Sequence, residues 1–110
     1  MKVPNADAAK VDRDKLERYL LSLAHPIGRS KARFLHAAGF GESNVAALAE
    51  ALKEIAQTEE IVAVASSPHG AKYIVDGLLT TPSGSRVRLR TVWIVETGED
   101  YPRFVTGYPV

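Results

Sequence analysis

The residues best suited to chemistry lie in one short segment, HPIGRSKARFLH, at positions 25–36. It contains two histidines, two arginines and a lysine within twelve positions. Histidine is the side chain best matched to proton transfer near neutral pH, and arginine and lysine are the side chains that hold anions. The segment therefore forms either the solvated face of a small helix or half of a site for an anionic ligand.

Helical geometry separates the charged residues of this segment. A helix is predicted from about Arg29 to Ala38, and at about 100° per residue its apolar side carries Phe34, Leu35 and Ala38. The opposite side, where water is expected, carries three basic residues: Arg29, Arg33 and His36.

Lys31 and His25 occupy different positions from the other basic residues. Lys31 lies near the middle of the apolar side. Its stem either runs beneath the helix towards the rest of the fold, where the helix N-terminus favours an anion, or extends past the helix end into water. His25 lies in a corner formed with Pro26 and Gly28, which suits either a hydrogen-bonded joint or a group that transfers a proton.

Three helices are predicted before residue 60. Asp12 is the expected N-cap of the first, which must end at His25 because Pro26 disfavours helical backbone in the residue before it. The second ends at Gly39, as a C′ glycine. The third has Ser43 as its expected N-cap and buries one stripe of apolar residues: Val45, Leu48, Leu52 and Ile55.

After residue 60 the pattern changes to β-branched runs separated by turn sequences. Strands are predicted at about 61–66, 71–80, 85–97 and 103–108, and the short turns between them favour an antiparallel meander. Helices followed by strands predict an α+β fold, with N-terminal helices packed on one face of a four-stranded sheet. The length predicts one domain, residues 1–110. Within it, residues 1–10 either belong to the folded part or form a loose N-terminal arm.

The third strand supplies a second basic set. Its alternation places Arg86, Arg88 and Arg90 on one face and Leu89, Thr91 and Trp93 on the other. A solvated face is the expected position of Arg86 and Arg88. Arg90 lies where the polar part of its face meets Val92 and Ile94, which is typical of the rim of a binding cleft. In the last strand, Phe104, Thr106 and Tyr108 are predicted to share a face.

Composition and spacing exclude several other chemistries. The chain has no cysteine, so thiolate catalysis and disulfides are excluded, and its three separated histidines predict no metal site. No phosphate-binding loop occurs, and no cofactor is expected. The net charge is +1, yet residues 13–36 hold six Lys or Arg against two acids, which predicts a basic face. No signal peptide or membrane span is recognised, so a cytoplasmic protein without membrane contact is expected.

The chemistry that is still compatible with these residues is metal-free cleavage of a phosphodiester. In this interpretation His25 moves a proton, Lys31 and Arg90 stabilise the charge that develops on phosphorus, and Thr106 orients the phosphate. The residues assigned to holding the substrate are Arg29, Arg33, Arg88 and Tyr108.

The segments HPIGRSKARFLHAAGF, SPHGAKYIVDGLL, RLRTVWIV and PRFVTGYP resemble a family of small bacterial domains known only as a domain of unknown function. The resemblance covers about residues 3–109. It identifies the family and implies little about its function.

A remoter resemblance carries a functional implication. Basic helices followed by a short antiparallel sheet that ends in a Thr-x-Tyr-Pro strand are similar to the barnase–EndoU–colicin–RelE superfamily, whose members are metal-independent ribonucleases and often toxins. The resemblance implies site residues on the second helix and the last two strands: Lys31, Arg33, Arg90, Thr106 and Tyr108.

Two hypotheses follow. The first is a toxin-like, metal-independent ribonuclease or RNA-binding domain, with RNA as substrate and an antitoxin or immunity protein as partner. The second is a non-catalytic interaction module of a bacterial toxin, phage or secretion system. The apolar part of the Arg90 side of the sheet also leaves a homodimer open. The two hypotheses differ in whether Lys31, Arg90 and Thr106 converge on one ligand.

Overall fold

The chain folds into helices followed by an antiparallel sheet, as the sequence predicts. The structure, a computed structural model, describes residues 1–20 and 29–110, apart from the side chains of residues 19, 20, 29–31 and 42. The α-helices are α1 (Arg13–Lys15), α2 (Arg29–Ala37) and α3 (Val45–Thr58). A π-helical turn (Leu16–Leu20) extends α1, and 3₁₀ turns lie at Ala6–Ala8 and Glu42–Asn44. The strands are β1 (Ile61–Ser67), β2 (Gly70–Thr80), β3 (Arg86–Glu96) and β4 (Arg103–Pro109).

The four strands form one antiparallel sheet in the order β1-β2-β3-β4, which confirms the predicted meander. The register is continuous through β2 and β3, where Thr80 pairs with Arg86 and Asp76 with Arg90. On the other side of β3, Arg90 pairs with Tyr108 of β4. Three strands therefore bring Asp76, Arg90 and Tyr108 into one row across the sheet.

One face of the sheet packs against the helices and forms the core. From β3 this face contributes Leu89, Thr91 and Trp93, all at most 1% exposed. The apolar stripe of α3 is buried as predicted, and its members are Val45, Leu48, Leu52 and Ile55. Because successive strand residues point to opposite faces, burial of the odd-numbered residues of β3 leaves Arg86, Arg88 and Arg90 on the face away from the core.

Two of the predicted helix-capping residues, Asp12 and Gly39, are confirmed, and the third, Ser43, is wrong. The Asp12 carboxylate caps α1 by accepting from the Asp14 N–H at 2.9 Å, and Gly39 follows α2 with a positive φ of 101°. Ser43 is not the N-cap of α3, because the chain first forms the 3₁₀ turn and Asn44 occupies that position. The Asn44 amide bridges backwards, accepting from the Gly41 N–H at 2.7 Å and donating to the Gly39 carbonyl at 3.0 Å.

The first ten residues pack onto the fold instead of extending from it as an arm. Val3 and Ala9 are buried in the core. The Lys10 N–H donates to the Pro102 carbonyl, and the Lys10 carbonyl accepts from the Phe104 N–H, both at 2.9 Å. The end of the N-terminal segment, at Lys10, therefore lies beside the outer edge of β4.

The prediction that Phe104 shares a face with Thr106 and Tyr108 is wrong, because β4 contains a bulge. Thr106 pairs with Val92, but Phe104 pairs with Trp93, so one extra residue lies between them on β4. A bulge shifts the alternation of side chains by one residue. Phe104 consequently packs in the core, with its ring centroid 5.4 Å from that of Trp93, while Thr106 and Tyr108 lie on the opposite face.

None of the helices in residues 1–20 and 29–110 has the length and apolar character needed to cross a membrane.

Candidate functional site

The candidate site is the sheet face opposite the core, where β2, β3 and β4 contribute side chains of matching chemistry. We call it the Arg90 face and define it by Asp76, Arg88, Arg90, Thr106 and Tyr108. Their strand register places them side by side. Four of the five are residues that the sequence assigned to catalysis or substrate binding, and Asp76 is an addition from the structure.

Asp76 holds Arg90 through a two-pronged ion pair. The Arg90 Nε donates to Asp76 Oδ1 at 2.8 Å, and Nη2 donates to Oδ2 at 2.9 Å. The Asp76 side chain is only 8% exposed, whereas that of Arg90 is 34% exposed. Arg88 lies further out, with Nη2 at 3.9 Å from Asp76 Oδ2. Such a fork fixes the plane of the guanidinium, so Arg90 presents a positioned cation at the surface.

The charges in this cluster favour the ionised forms. The hydrogen bond from Arg90 holds the pKa of the Asp76 carboxyl below its usual value against the opposing effect of burial, and the charges of Arg90 and Arg88 lower that pKa further. The same pair raises the pKa of Arg90, to which the hydroxyl of Tyr108 also contributes. Asp76 is therefore a carboxylate at neutral pH, and its role here is to position Arg90.

Replacement of Asp76 by asparagine is expected to lower the free energy of unfolding at pH 7 by about 1–3 kcal/mol, because charge-assisted hydrogen bonds are lost. The folded-state pKa of Asp76 is depressed. Its stabilisation is therefore present above the unfolded value of about 3.9 and is lost as pH falls through the folded value. Urea unfolding of both proteins at pH 7 and at pH 3 measures this. The difference in free energy of unfolding between wild type and Asp76→Asn should be smaller at pH 3 than at pH 7.

The exposed Asp7, changed to asparagine, is the control and should match wild type at both pH values. A difference between wild type and Asp76→Asn that is the same at pH 7 and pH 3 would contradict the assigned ion pair.

Thr106 lies on the Arg90 face beside this ion pair. It pairs with Val92, and Tyr108 pairs with Arg90, so Thr106 and Arg90 are diagonal neighbours. Residues in this relation have Cβ atoms about 7–8 Å apart. A phosphate group placed between a guanidinium and a hydroxyl at that spacing lies within hydrogen-bonding reach of both.

The predicted residues of the 25–36 segment are only partly described. His25 and the side chains of Arg29 and Lys31 lie outside the described residues. Leu35 is buried in the core, and Arg33 and His36 are exposed, as helical geometry predicts. Helix α2, which carries Lys31, contacts β4 from the core side of the sheet, where Leu35 is buried, whereas Thr106 and Tyr108 lie on the opposite face of that strand. Convergence of Lys31 with the Arg90 face stays a prediction.

Asp76 was missed although the sequence contains a signal for it. The strands on either side of the Thr-Pro-Ser-Gly-Ser turn form a hairpin, and pairing Thr80 with Arg86 places Asp76 opposite Arg90. A carboxylate inside the apolar run YIVDGLL needs a partner when it is buried, and the arginine strand supplies it. Among the described residues, no group of three or more His, Asp or Glu side chains is arranged to hold a metal ion.

The solved structure of a contact-dependent growth inhibition toxin–immunity protein complex from Klebsiella pneumoniae 342 contains a chain with a similar fold. The TM-score is 0.74 at 20% sequence identity, over 94% of this chain and 95% of that chain. The similarity spans almost the whole of both chains, so the two share one α+β fold.

The family follows from the sequence. The profile of the family described as Domain of unknown function (DUF6883) matches residues 2–110, and the chain belongs to that family. This confirms the resemblance recognised in the sequence motifs. A comparison with curated proteins gives no significant match.

Proposed function

We propose that the chain is a metal-independent ribonuclease domain of a bacterial toxin, which binds RNA on the Arg90 face. The observation that carries this proposal is the positioned guanidinium of Arg90 beside Arg88 and two hydroxyl residues, Thr106 and Tyr108. Arginine held in a fixed plane suits phosphate recognition, and cations positioned in advance stabilise the charge that develops on a reacting phosphate.

The reaction that fits these groups is transfer of the phosphodiester to the neighbouring 2′-hydroxyl. The 2′-oxygen loses its proton to a base and attacks phosphorus, the bond from phosphorus to O5′ breaks, and an acid returns a proton to O5′. His25 is the proposed proton-transfer group, and Lys31 and Arg90 stabilise the five-coordinate phosphorus. Thr106 orients the phosphate. The residues that hold the flanking RNA are Arg29, Arg33, Arg88 and Tyr108.

The comparison of folds supports a place in a toxin–immunity system and a protein partner. The similar chain comes from a toxin–immunity protein complex. For this chain we propose an immunity protein or antitoxin that covers the Arg90 face. Its contact surface should be acidic, because the exposed Arg86 and Arg88 flank the site and complementary charge governs such recognition.

One observation favours the second candidate, a non-catalytic interaction module. Asp76 already occupies two donors of Arg90, which partly neutralises the cation that catalysis would use. In that case the face binds a protein, and the arginines contribute specificity instead of chemistry.

Incubation of the chain with total RNA in the presence of EDTA distinguishes the two candidates. The proposal predicts degradation by wild type and a strong reduction in Lys31→Ala. Lys2→Ala is the matched control, because Lys2 is an exposed lysine of the N-terminal segment and should leave activity unchanged. Intact RNA at high protein concentration would favour the interaction module.

A further inference from the structure

A second cationic site lies away from the Arg90–Asp76 pair, between the N-terminal segment and the beginning of β4. It is a cavity of about 520 Å³, within the usual size range of small-ligand sites. We call it the Lys15 cleft. The residues that define it are Lys10, Val11, Lys15, Lys53, Ile94 and Arg103.

The charged residues of the Lys15 cleft come from separate elements. Lys10 and Lys15 belong to the N-terminal segment and α1, Lys53 to α3, and Arg103 to β4. Two carboxylates, Asp12 and Glu96, also line the cavity. Asp12 is engaged as the N-cap of α1. Among the described residues that line the cavity, four cations outnumber these two carboxylates, which favours an anionic ligand.

Two of these cations contact Tyr101, and two others form only long ion pairs or none. The Arg103 Nη2 donates to the Tyr101 hydroxyl at 2.8 Å, and the Lys10 Nζ lies 4.6 Å from the centre of the Tyr101 ring. Lys53 lies 3.4 Å from a Glu50 carboxylate that is 75% exposed, and Arg103 lies 3.4 Å from Glu99. Exposed pairs of this kind contribute little to stability, so a ligand can displace them. In the described part of the chain Lys15 forms no ion pair, although it is half-buried.

The remaining lining is apolar. Val11, Ile94 and Val105 are partly buried and contribute to the walls. Cations combined with an apolar wall suit a ligand that has a charged group and a flat organic part, which is the composition of a nucleotide.

We propose that the Lys15 cleft binds the phosphate group of a nucleotide, with the sugar or base against the apolar wall. The nucleotide is either free or part of a strand, and the strand form rests on the function proposed above. Arg103 pairs with Ile94, four residues along β3 from Arg90, which corresponds to about 13 Å. A strand a few nucleotides long therefore reaches both the Arg90 face and the cleft.

An NMR titration of the backbone amides tests this proposal. The probes are adenosine 5′-monophosphate, adenosine, inorganic phosphate and a 2′-O-methyl oligoribonucleotide of five residues, which cannot be cleaved by 2′-oxygen attack. The mononucleotide should shift the amides of Val11, Arg103 and Val105, phosphate should compete with it, and adenosine should bind at least tenfold more weakly. Much tighter binding of the oligonucleotide would identify a strand as the ligand, and equal binding a free nucleotide.

Variants locate the binding. The double variant Lys15→Gln/Lys53→Gln should weaken mononucleotide binding on the order of tenfold or more, through loss of two charge-assisted contacts. For the oligonucleotide it should also reduce the slope of log affinity against log salt by about one per lost phosphate contact. Lys2→Gln is the control, since Lys2 lies next to Met1, whose carbonyl accepts from Ile61 of β1 at the opposite edge of the sheet.

The proposal is overturned if wild type binds none of the phosphate probes, or if the double variant binds them as tightly as wild type. Either result leaves RNA cleavage at the Arg90 face to be judged separately. Conversely, if the chain binds nucleotide in the cleft but leaves RNA intact, the proposed nucleotide site is supported and the proposed ribonuclease activity is refuted.

Discussion

Replacement of Arg90 by glutamine is expected to reduce the rate of RNA cleavage on the order of 10²–10³-fold, the usual cost of removing one positioned donor to a developing charge. The guanidinium is held in plane by Asp76 at 2.8 and 2.9 Å, so its interaction with the reacting phosphate is available without rearrangement. Because that charge develops only in the transition state, the loss should appear mainly in kcat, with a smaller change in KM.

Two further variants make this prediction specific. Arg90→Lys keeps the charge but loses the planar fork, so its rate should fall between those of wild type and Arg90→Gln. Arg86→Gln removes an exposed arginine from the same face of β3 and should alter mainly KM. Thermal unfolding of each variant checks that the fold is intact. Equal kcat in Arg90→Gln and wild type would contradict a catalytic role for Arg90.

Replacement of Trp93 by alanine is expected to reduce the free energy of unfolding by about 3–5 kcal/mol, the usual cost of truncating a large buried aromatic side chain. Trp93 is fully buried, and its ring meets Phe104 edge-to-face at 5.4 Å between centroids. Its indole N–H donates to Thr91 Oγ1 at 2.9 Å, and that hydroxyl donates to the Val75 carbonyl at 2.7 Å. The variant loses both packing and a buried hydrogen bond.

Urea unfolding measures this effect, with Val64→Ala as a control because Val64 is 51% exposed. The total stability of small domains is about 5–15 kcal/mol, so Trp93→Ala should be marginally folded. Trp93→Phe should lose less, since it keeps most of the volume and gives up the hydrogen bond. A loss of less than about 1 kcal/mol in Trp93→Ala, well under the range for such truncations, would contradict the assignment of Trp93 to the centre of the core.

The elements that repeat a regular pattern could be predicted from sequence. In β3, arginine alternates with apolar residues, and this alternation alone gave the correct faces of Arg88, Arg90 and Trp93. Short turns gave the meander, because antiparallel neighbours need few connecting residues. In α2 the helical period gave the buried position of Leu35 and the exposed position of Arg33.

The predictions were wrong where the face of a strand residue or the end of a helix depends on contacts with distant parts of the chain. Phe104 and Thr106 are both suited to either face of a strand, and a bulge determined by pairing with β3 separates them. Asn44 displaces Ser43 as the N-cap because its amide reaches Gly39 and Gly41. Sequence spacing describes the period of an element, but tertiary packing selects its register and its ends.

The candidate site divides in the same way. The shared face of Arg88 and Arg90 follows from strand alternation, whereas the position of Thr106 and Tyr108 beside Arg90 and the role of Asp76 follow only from the register of β3 with β4 and with β2. The Lys15 cleft combines residues from four separate parts of the chain, so no local pattern indicates it. Charges that are distant in sequence converge only when the helices and the sheet are packed.

The most direct test of a metal-independent ribonuclease is to identify the ends that it leaves on a defined oligoribonucleotide in EDTA. Attack by the 2′-oxygen predicts a 2′,3′-cyclic phosphate on one product and a 5′-hydroxyl on the other, with no cleavage where the scissile nucleotide is 2′-deoxy. Intact RNA at stoichiometric protein, or products that end in a 3′-hydroxyl, would contradict it.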